Sequence, residues 1–310
     1  MTDELFHSTP WQQLLSVTYG FTRGEAHGIP FCVLDDPAGR RISALPFSDY
    51  LPVDDPDQAA QFFTTVRQQF PDHAITLKTR LAEALPDLTV AKRAVYHRYL
   101  PGATASSSFR RGSKQAMRAG TQVKRTTEAA AADRFQQLYH RQRLRKFGGI
   151  PQPPSFFAAL QRLFMDTGRG FYLEAWTVAG AHAATLVVLR CGNGWFYKFG
   201  TSDPAHLADR PNNLLFTYLT EAVDAGEADF LDLGLSGSGE AYAGLRRFKS
   251  ATGAGERPLT YLRYTPPDYD NRSGHTFLDA IRGVTDALVE QDADRTTVAP
   301  LSESLYRFFA

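Results

Sequence analysis

Apolar residues in the first third of the chain fall into short runs separated by turn residues. The stretch GIPFCVLDDPAGRRISALPFSDYLP (28–52) holds two such runs around an Asp-Pro-Ala-Gly turn, which predicts a hairpin. In DQAAQFFTTVRQQF (57–70), Ala59, Phe62, Phe63 and Val66 recur at helical spacing, whereas HAITLKTRL (73–81) alternates as a strand does. AVYHRYLP (94–101) predicts a strand closed by proline, and SSSFRRGSKQAMRAG (106–120) a helix opened by serines and closed by Gly120. From Thr121 a similar series begins again. It predicts a strand over 121–127, a long helix over 130–148, a second helix over 155–168, and three strands over 170–178, 181–191 and 194–202. A helix over 212–226 then carries Leu214, Leu215, Tyr218, Leu219, Ala222 and Val223 on one face. A strand (229–236), a helix (239–250), a strand (257–266) and two closing helices (273–291, 302–310) complete the pattern.

The order helix, helix, three strands, helix, strand, helix, strand is that of the GNAT acyltransferase fold, and the first half reads as a decayed copy of it. At 310 residues the chain is long for one core, so two domains of roughly 150 residues are expected. The expected fold class is α+β, with two tandem GNAT-like subdomains at 1–128 and 129–265. Each would be a mixed, mostly antiparallel sheet flanked by helices, and a helical segment, 266–310, would pack back on the body. Composition is that of an ordinary globular protein: 43% apolar, 22% charged, 12% aromatic. No apolar run of about 18 residues predicts a membrane span, and MTDELFHSTP lacks the features of a signal peptide, so a cytoplasmic location is expected. Cys32 and Cys191 lie in apolar runs and read as buried thiols.

The net charge of +1 conceals an imbalance. Between Arg110 and Arg162 there are twelve Lys or Arg and only two acids, Glu128 and Asp133, so this middle is +10 and the remainder −9. A block this uneven suggests a polyanionic partner, unless acidic segments elsewhere pack beside it. Phosphate-loop, zinc-protease, paired-cysteine and nucleophile-elbow motifs are all missing, and the eight histidines are scattered singly. No metal and no cofactor are therefore expected. One cluster stands out: GLRRFKSATGA (244–254) sets Arg246, Arg247 and Lys249 around Phe248 at a helix end. Cations there complement the helix dipole, and Phe248 can be a core anchor.

Six ordered segments together resemble the FemABX family of non-ribosomal aminoacyltransferases, which have a doubled GNAT fold. They are LPFSDYLP (45–52), SFRRGSKQAMRAG (108–120), WFYKFGTSD (195–203), RPNNLLFTYLTEAVDAG (210–226), DFLDLGLS (229–236) and GLRRFKSATGA. The resemblance implies that Lys249 lies at the mouth of a groove, where a cation stabilises the oxyanion of the tetrahedral intermediate. It also implies that Tyr197 and Lys198 line an acceptor channel, with Asp49, Tyr50, Asn212, Asn213, Arg247 and Phe248 as further substrate contacts. Plain strand alternation is the rival account of Tyr197 and Lys198, with Phe196 and Lys198 on one face and Tyr197 and Phe199 on the other. Asp232 is expected to accept a proton from the amine nucleophile, or else to be a structural carboxylate.

Acetyl-CoA-dependent GNAT proteins hold pyrophosphate on a glycine-rich turn at a helix N-terminus. Here that turn reads Arg210-Pro211-Asn212-Asn213-Leu214-Leu215, with no glycine for a close approach. The expectation is an enzyme moving an aminoacyl group from aminoacyl-tRNA to a small amine or peptide acceptor. Its tRNA-binding residues would be Arg110, Arg111, Lys114 and Arg118. Two alternatives stay open: an N-acyltransferase using acyl-CoA or acyl carrier protein, and a non-catalytic GNAT-fold protein binding nucleic acid.

Overall fold

The computed structural model describes residues 4–310. In chain order the helices and strands are α1 (Thr9–Tyr19), β1 (Thr22–Ala26), β2 (Ile29–Asp36), β3 (Gly39–Ser43), α2 (Pro56–Gln69), β4 (Ala74–Thr79) and β5 (Thr89–Tyr99). There follow α3 (Ser107–Arg118), β6 (Gln122–Thr126), α4 (Ala129–Phe147), α5 (Pro154–Leu160), β7 (Gly170–Trp176), β8 (His182–Cys191) and β9 (Gly194–Ser202). The last are α6 (Pro211–Asp224), β10 (Phe230–Gly237), α7 (Ala243–Ala251), β11 (Gly255–Tyr264), α8 (Arg272–Glu290) and α9 (Arg295–Leu305). Every predicted element has a counterpart. Sequence analysis assigns neither β1 nor α1, although Trp11, Leu14, Leu15 and Tyr19 recur at helical spacing and are buried.

The chain forms two compact units. Unit 1 gathers Tyr96–Phe147 and Phe157–Arg257 with Glu4 and Leu5; unit 2 gathers Phe6–Val95, Gly148–Phe156 and Pro258–Ala310. In unit 2, β1, β2 and β3 pair antiparallel and β3 pairs parallel with β4 across the crossover helix α2. In unit 1, β7, β8 and β9 pair antiparallel and β9 pairs parallel with β10 across α6. The same βββαβ module thus occurs twice. The strand after each module is divided: β5 reaches unit 1 at Tyr96–Tyr99, beside β10, and β11 enters unit 2 from Pro258, antiparallel to β4. Neither unit is continuous in sequence: β5 is divided between them at Val95/Tyr96 and β11 at Arg257/Pro258.

Local chemistry explains the elements that position the site. Ser106 caps α3 by accepting the Phe109 N–H at 3.2 Å, and Phe109, Ser113 and Ala116 form its buried stripe. That stripe meets α6, where the Ser113 and Thr217 hydroxyls lie 2.6 Å apart. The apolar face of α6 covers the sheet through Leu215, Phe216, Leu219 and Val223 against Leu186, Val188 and Trp195. In unit 2, α2 buries Ala59, Phe62, Phe63 and Val66, the four positions its spacing singles out. Cys32 is buried, which pushes its thiol up to about 12; Cys191 is only half-buried. Among the described residues no helix is long and apolar enough to cross a membrane.

Candidate active site

β9 and β10 run side by side for only three residue pairs: Phe230 with Gly194, Leu231 with Trp195, and Asp232 with Phe196. Irregularities in both strands follow. β8 opposes Val188 to Tyr197 but Val187 to Phe199, leaving Lys198 as an extra residue in β9. β10 turns at Gly234, whose φ of +73° is open to glycine and strained for other residues. The turn is gripped from two sides. Asp232 Oδ1 accepts the Gly234 N–H at 2.7 Å, and Lys249 Nζ, from the last turn of α7, donates to the carbonyls of Gly234 and Leu235 at 2.9 Å each.

A cavity of about 730 Å³ lies in unit 1 among α4, β9, α6 and α7. Lys249 forms part of its wall, with Tyr197 of β9, Asn212 and Phe216 of α6, and Phe248 of α7. The aromatic rings make a row: Tyr197 to Phe216 at 5.0 Å, Phe216 to Phe248 at 5.4 Å, and Phe248 to Phe109 of α3 at 5.7 Å. Gly200 lets the Tyr197 phenol lie across the strand, since a Cβ there would collide with its hydroxyl. Asn212 Nδ2 donates to Ser202 Oγ at 3.0 Å, tying the start of α6 to β9.

Of the residues expected at the site, Lys249, Tyr197, Asn212 and Phe248 line the cavity. Lys249 stands in the last turn of α7, is 3% exposed, and turns its ammonium to the carbonyls of Gly234 and Leu235. Arg246 bonds the carbonyl of Gly239 at 2.9 Å and that of Gly237, while Arg247 is exposed. Arg247, Lys198, Asn213 and Asp232 are not in the cavity wall. Asn213 Nδ2 instead donates to the Phe109 carbonyl at 3.3 Å. The bulge at Lys198 also overturns the expected alternation. Tyr197 packs on Phe216, whereas Phe199 turns to the opposite face, against Phe135, Tyr139 and Phe157. Asp49 and Tyr50 belong to unit 2, where Tyr50 is fully buried against Phe6 at 5.6 Å.

The carboxylate of Asp232 is occupied. It takes the Gly234 N–H and pairs with Arg98 of β5 at 3.2 Å. The Arg98 guanidinium also lies 4.1 Å over the Phe230 ring. Sequence reasoning missed Arg98 and its neighbour His97, because single basic residues in an apolar strand carry no spacing signal. His97 is wholly buried, with Nε2 3.1 Å from Ser250 Oγ and 3.3 Å from Glu256 Oε2. Desolvation, reinforced by the positive charges of Lys249 and Arg246, lowers its pKa to about 4, which favours the neutral imidazole at neutral pH.

The excess of basic residues is partly neutralised. Arg134 forms a two-pronged pair with Glu174 at 2.8 and 2.9 Å, Arg125 pairs with Glu227, and Lys124 with Glu128. Arg110, Arg111, Lys114 and Arg118 differ: all four are exposed along α3, and none makes an ion pair among the described residues. No group of three or more His, Cys, Asp or Glu is gathered for a metal among the described residues.

Comparisons with known proteins bear on this geometry. Residues 103–250 match the family model described as acetyltransferase (GNAT) domain. No curated protein matches the chain in sequence. Among solved structures, FemX matches with a TM-score of 0.60 at 11% identity, over 90% of this chain and 94% of FemX. The C-terminal DUF2156 domain of a candidate lysylphosphatidylglycerol synthetase from Agrobacterium fabrum gives 0.57 at 13% identity, over 88% and 91%. L-PGS from Bacillus licheniformis gives 0.55 at 12% identity, over 89% and 92%. The chain has a FemABX-like tandem GNAT fold.

Proposed function

We propose that this GNAT-fold protein transfers an aminoacyl group from aminoacyl-tRNA to a primary amine, forming an amide. The observation that carries this reading is the buried ammonium of Lys249 in the wall of the cavity bordered by β9, α6 and α7. The amine nitrogen attacks the ester carbonyl, the carbonyl oxygen becomes an oxyanion, and the C–O bond to the ribose breaks. The proton released by the amine passes to the leaving ribose oxygen through solvent. A fixed positive charge beside the oxyanion lowers this barrier, and one well-placed donor contributes about 3 kcal/mol.

In this reading Asp232 positions rather than abstracts protons: it holds the N–H of Gly234, the residue whose carbonyl accepts from Lys249. The exposed basic row on α3 supplies contacts for tRNA phosphates. The start of α6 supports a donor other than acetyl-CoA, because its first turn presents Asn212 and Asn213 side chains, each already hydrogen-bonded, where a pyrophosphate would need bare backbone. Structural likeness to FemX, to a lysylphosphatidylglycerol synthetase domain and to L-PGS accords with aminoacyl transfer.

The deciding experiment incubates the protein with total tRNA charged with labelled amino acids and an amine acceptor, and in parallel with acetyl-CoA. Transfer of label from tRNA to amine, with acetyl-CoA unchanged, is expected. Consumption of acetyl-CoA without discharge of tRNA would replace this reading with N-acetyl transfer.

A further inference from the structure

We infer that the unit 1 cavity receives a bulky apolar side chain of the transferred group and refuses a cationic one. The identity of the occupant rests on the aminoacyl-transfer reading; the preference rests on the cavity walls alone. At about 730 Å³ the cavity is of the size that takes small molecules. Its charged lining residues are Lys146 and Lys249, and no carboxylate is among them. A lysyl or arginyl side chain would bring a third positive charge into this space with no counter-ion, losing hydration without repayment. The same two cations suit the oxyanion and the phosphates of the tRNA terminus.

The rim adds an independent observation. Phe147, Leu207, Tyr242 and Leu245 all border this cavity and stand 54, 48, 45 and 42% exposed, which puts them among the most exposed large apolar side chains of the described protein. Four such side chains gathered at one opening form an apolar patch, and patches of this kind mark binding sites. They come from three separate elements: Phe147 ends α4, Leu207 precedes α6, and Tyr242 and Leu245 introduce α7. Together with the Tyr197–Phe216–Phe248 row they offer contact to an apolar group from mouth to floor.

The test uses the full-length protein and hydrolysis-resistant 3′-aminoacylamido-adenosines carrying phenylalanine, leucine, alanine or lysine, with binding read by calorimetry. The phenylalanine and leucine compounds are expected to bind at least about 30-fold tighter than the lysine compound and roughly tenfold tighter than the alanine compound. Phe147→Ser and Leu245→Ser, both at exposed positions, should narrow the apolar preference with little change in Tm. Tyr242→Glu should raise affinity for the lysine compound. A lysine compound that binds as tightly as phenylalanine, an alanine compound that matches leucine, or no binding by any compound would each overturn the inference. Selective binding of phenylalanine without transfer from any charged tRNA would instead overturn the transfer reading and leave the cavity's preference standing. Transfer from lysyl-tRNA as fast as from phenylalanyl-tRNA would do the reverse.

Discussion

Lys249 combines two tasks that substitution can separate. Its ammonium bonds two main-chain carbonyls at the turn of β10 and supplies positive charge to the cavity. Lys249→Met removes both, and two buried carbonyls then lose a donor, so unfolding free energy should fall by about 1–3 kcal/mol. Turnover should fall by about 10² to 10³. Lys249→Gln keeps two N–H donors but no charge. It should regain part of the lost stability and none of the lost turnover, as read by a denaturant melt beside single-turnover transfer. Recovery of turnover by Gln would show that scaffolding, not charge, is what transfer needs. His97 gives a pH prediction. Its folded pKa of about 4 lies below the unfolded value of 6.5, so on acidification the unfolded chain binds a proton before the folded one does. Stability contributed by the neutral imidazole is complete above pH 6.5 and falls as pH drops from there toward 4, by a total on the order of 3 kcal/mol. Unfolding measured at pH 8 and pH 5 should therefore differ less in His97→Gln than in the parent; equal differences would refute the assignment.

At the level of elements, the turn in β10 and the basic face of α3 carry the site. Gly234→Ala places a Cβ at φ +73° and should cost about 1–2 kcal/mol while shifting the carbonyl that holds Lys249. A melting curve and a transfer assay should both record the loss. Charge reversal of Arg110, Arg111, Lys114 and Arg118 should weaken tRNA binding and reduce the slope of log K against log salt by about 3, because up to four phosphate contacts release no counterions. An unchanged slope would remove α3 from the tRNA interface. These two elements were not equally legible in the sequence. The one-sided stripe of α3, with Phe109, Ser113 and Ala116 buried and the four cations exposed, follows from helical spacing. The bulge at Lys198 does not. β9 has aromatic residues packed on both of its faces, so hydrophobicity there has no period of two and gives no sign of where the register slips. The aromatic residues of FYKF could be assigned to the site, but not to faces.

Over the whole chain, the sequence shows the doubled module but hides where the strand after each module pairs. The βββαβ order appears twice because crossover helices and strands each leave a local period. Which strand β5 or β11 pairs beside is settled by packing between residues distant in sequence, and no local pattern encodes it. Arg98 shows why this matters. It lies in β5, on the N-terminal side of the 128/129 limit, yet its guanidinium reaches Asp232 at 3.2 Å and Glu4 at 3.8 Å within unit 1. Asp232 is 1% exposed, and a carboxylate buried that deeply without its cation costs about 3–5 kcal/mol. A fragment comprising 129–310 lacks Arg98 and leaves the β10 edge without Tyr96–Tyr99, while a fragment comprising 1–128 leaves β4 without β11. Neither fragment should show a cooperative melt when expressed alone, and co-expression should restore a soluble, cooperatively melting complex. Arg98→Met in the full chain serves as the control: it should lower stability by about 3 kcal/mol or more without abolishing folding. Cooperative unfolding of isolated 129–310 would mean that the second module is self-sufficient and that β5 contributes little to the site.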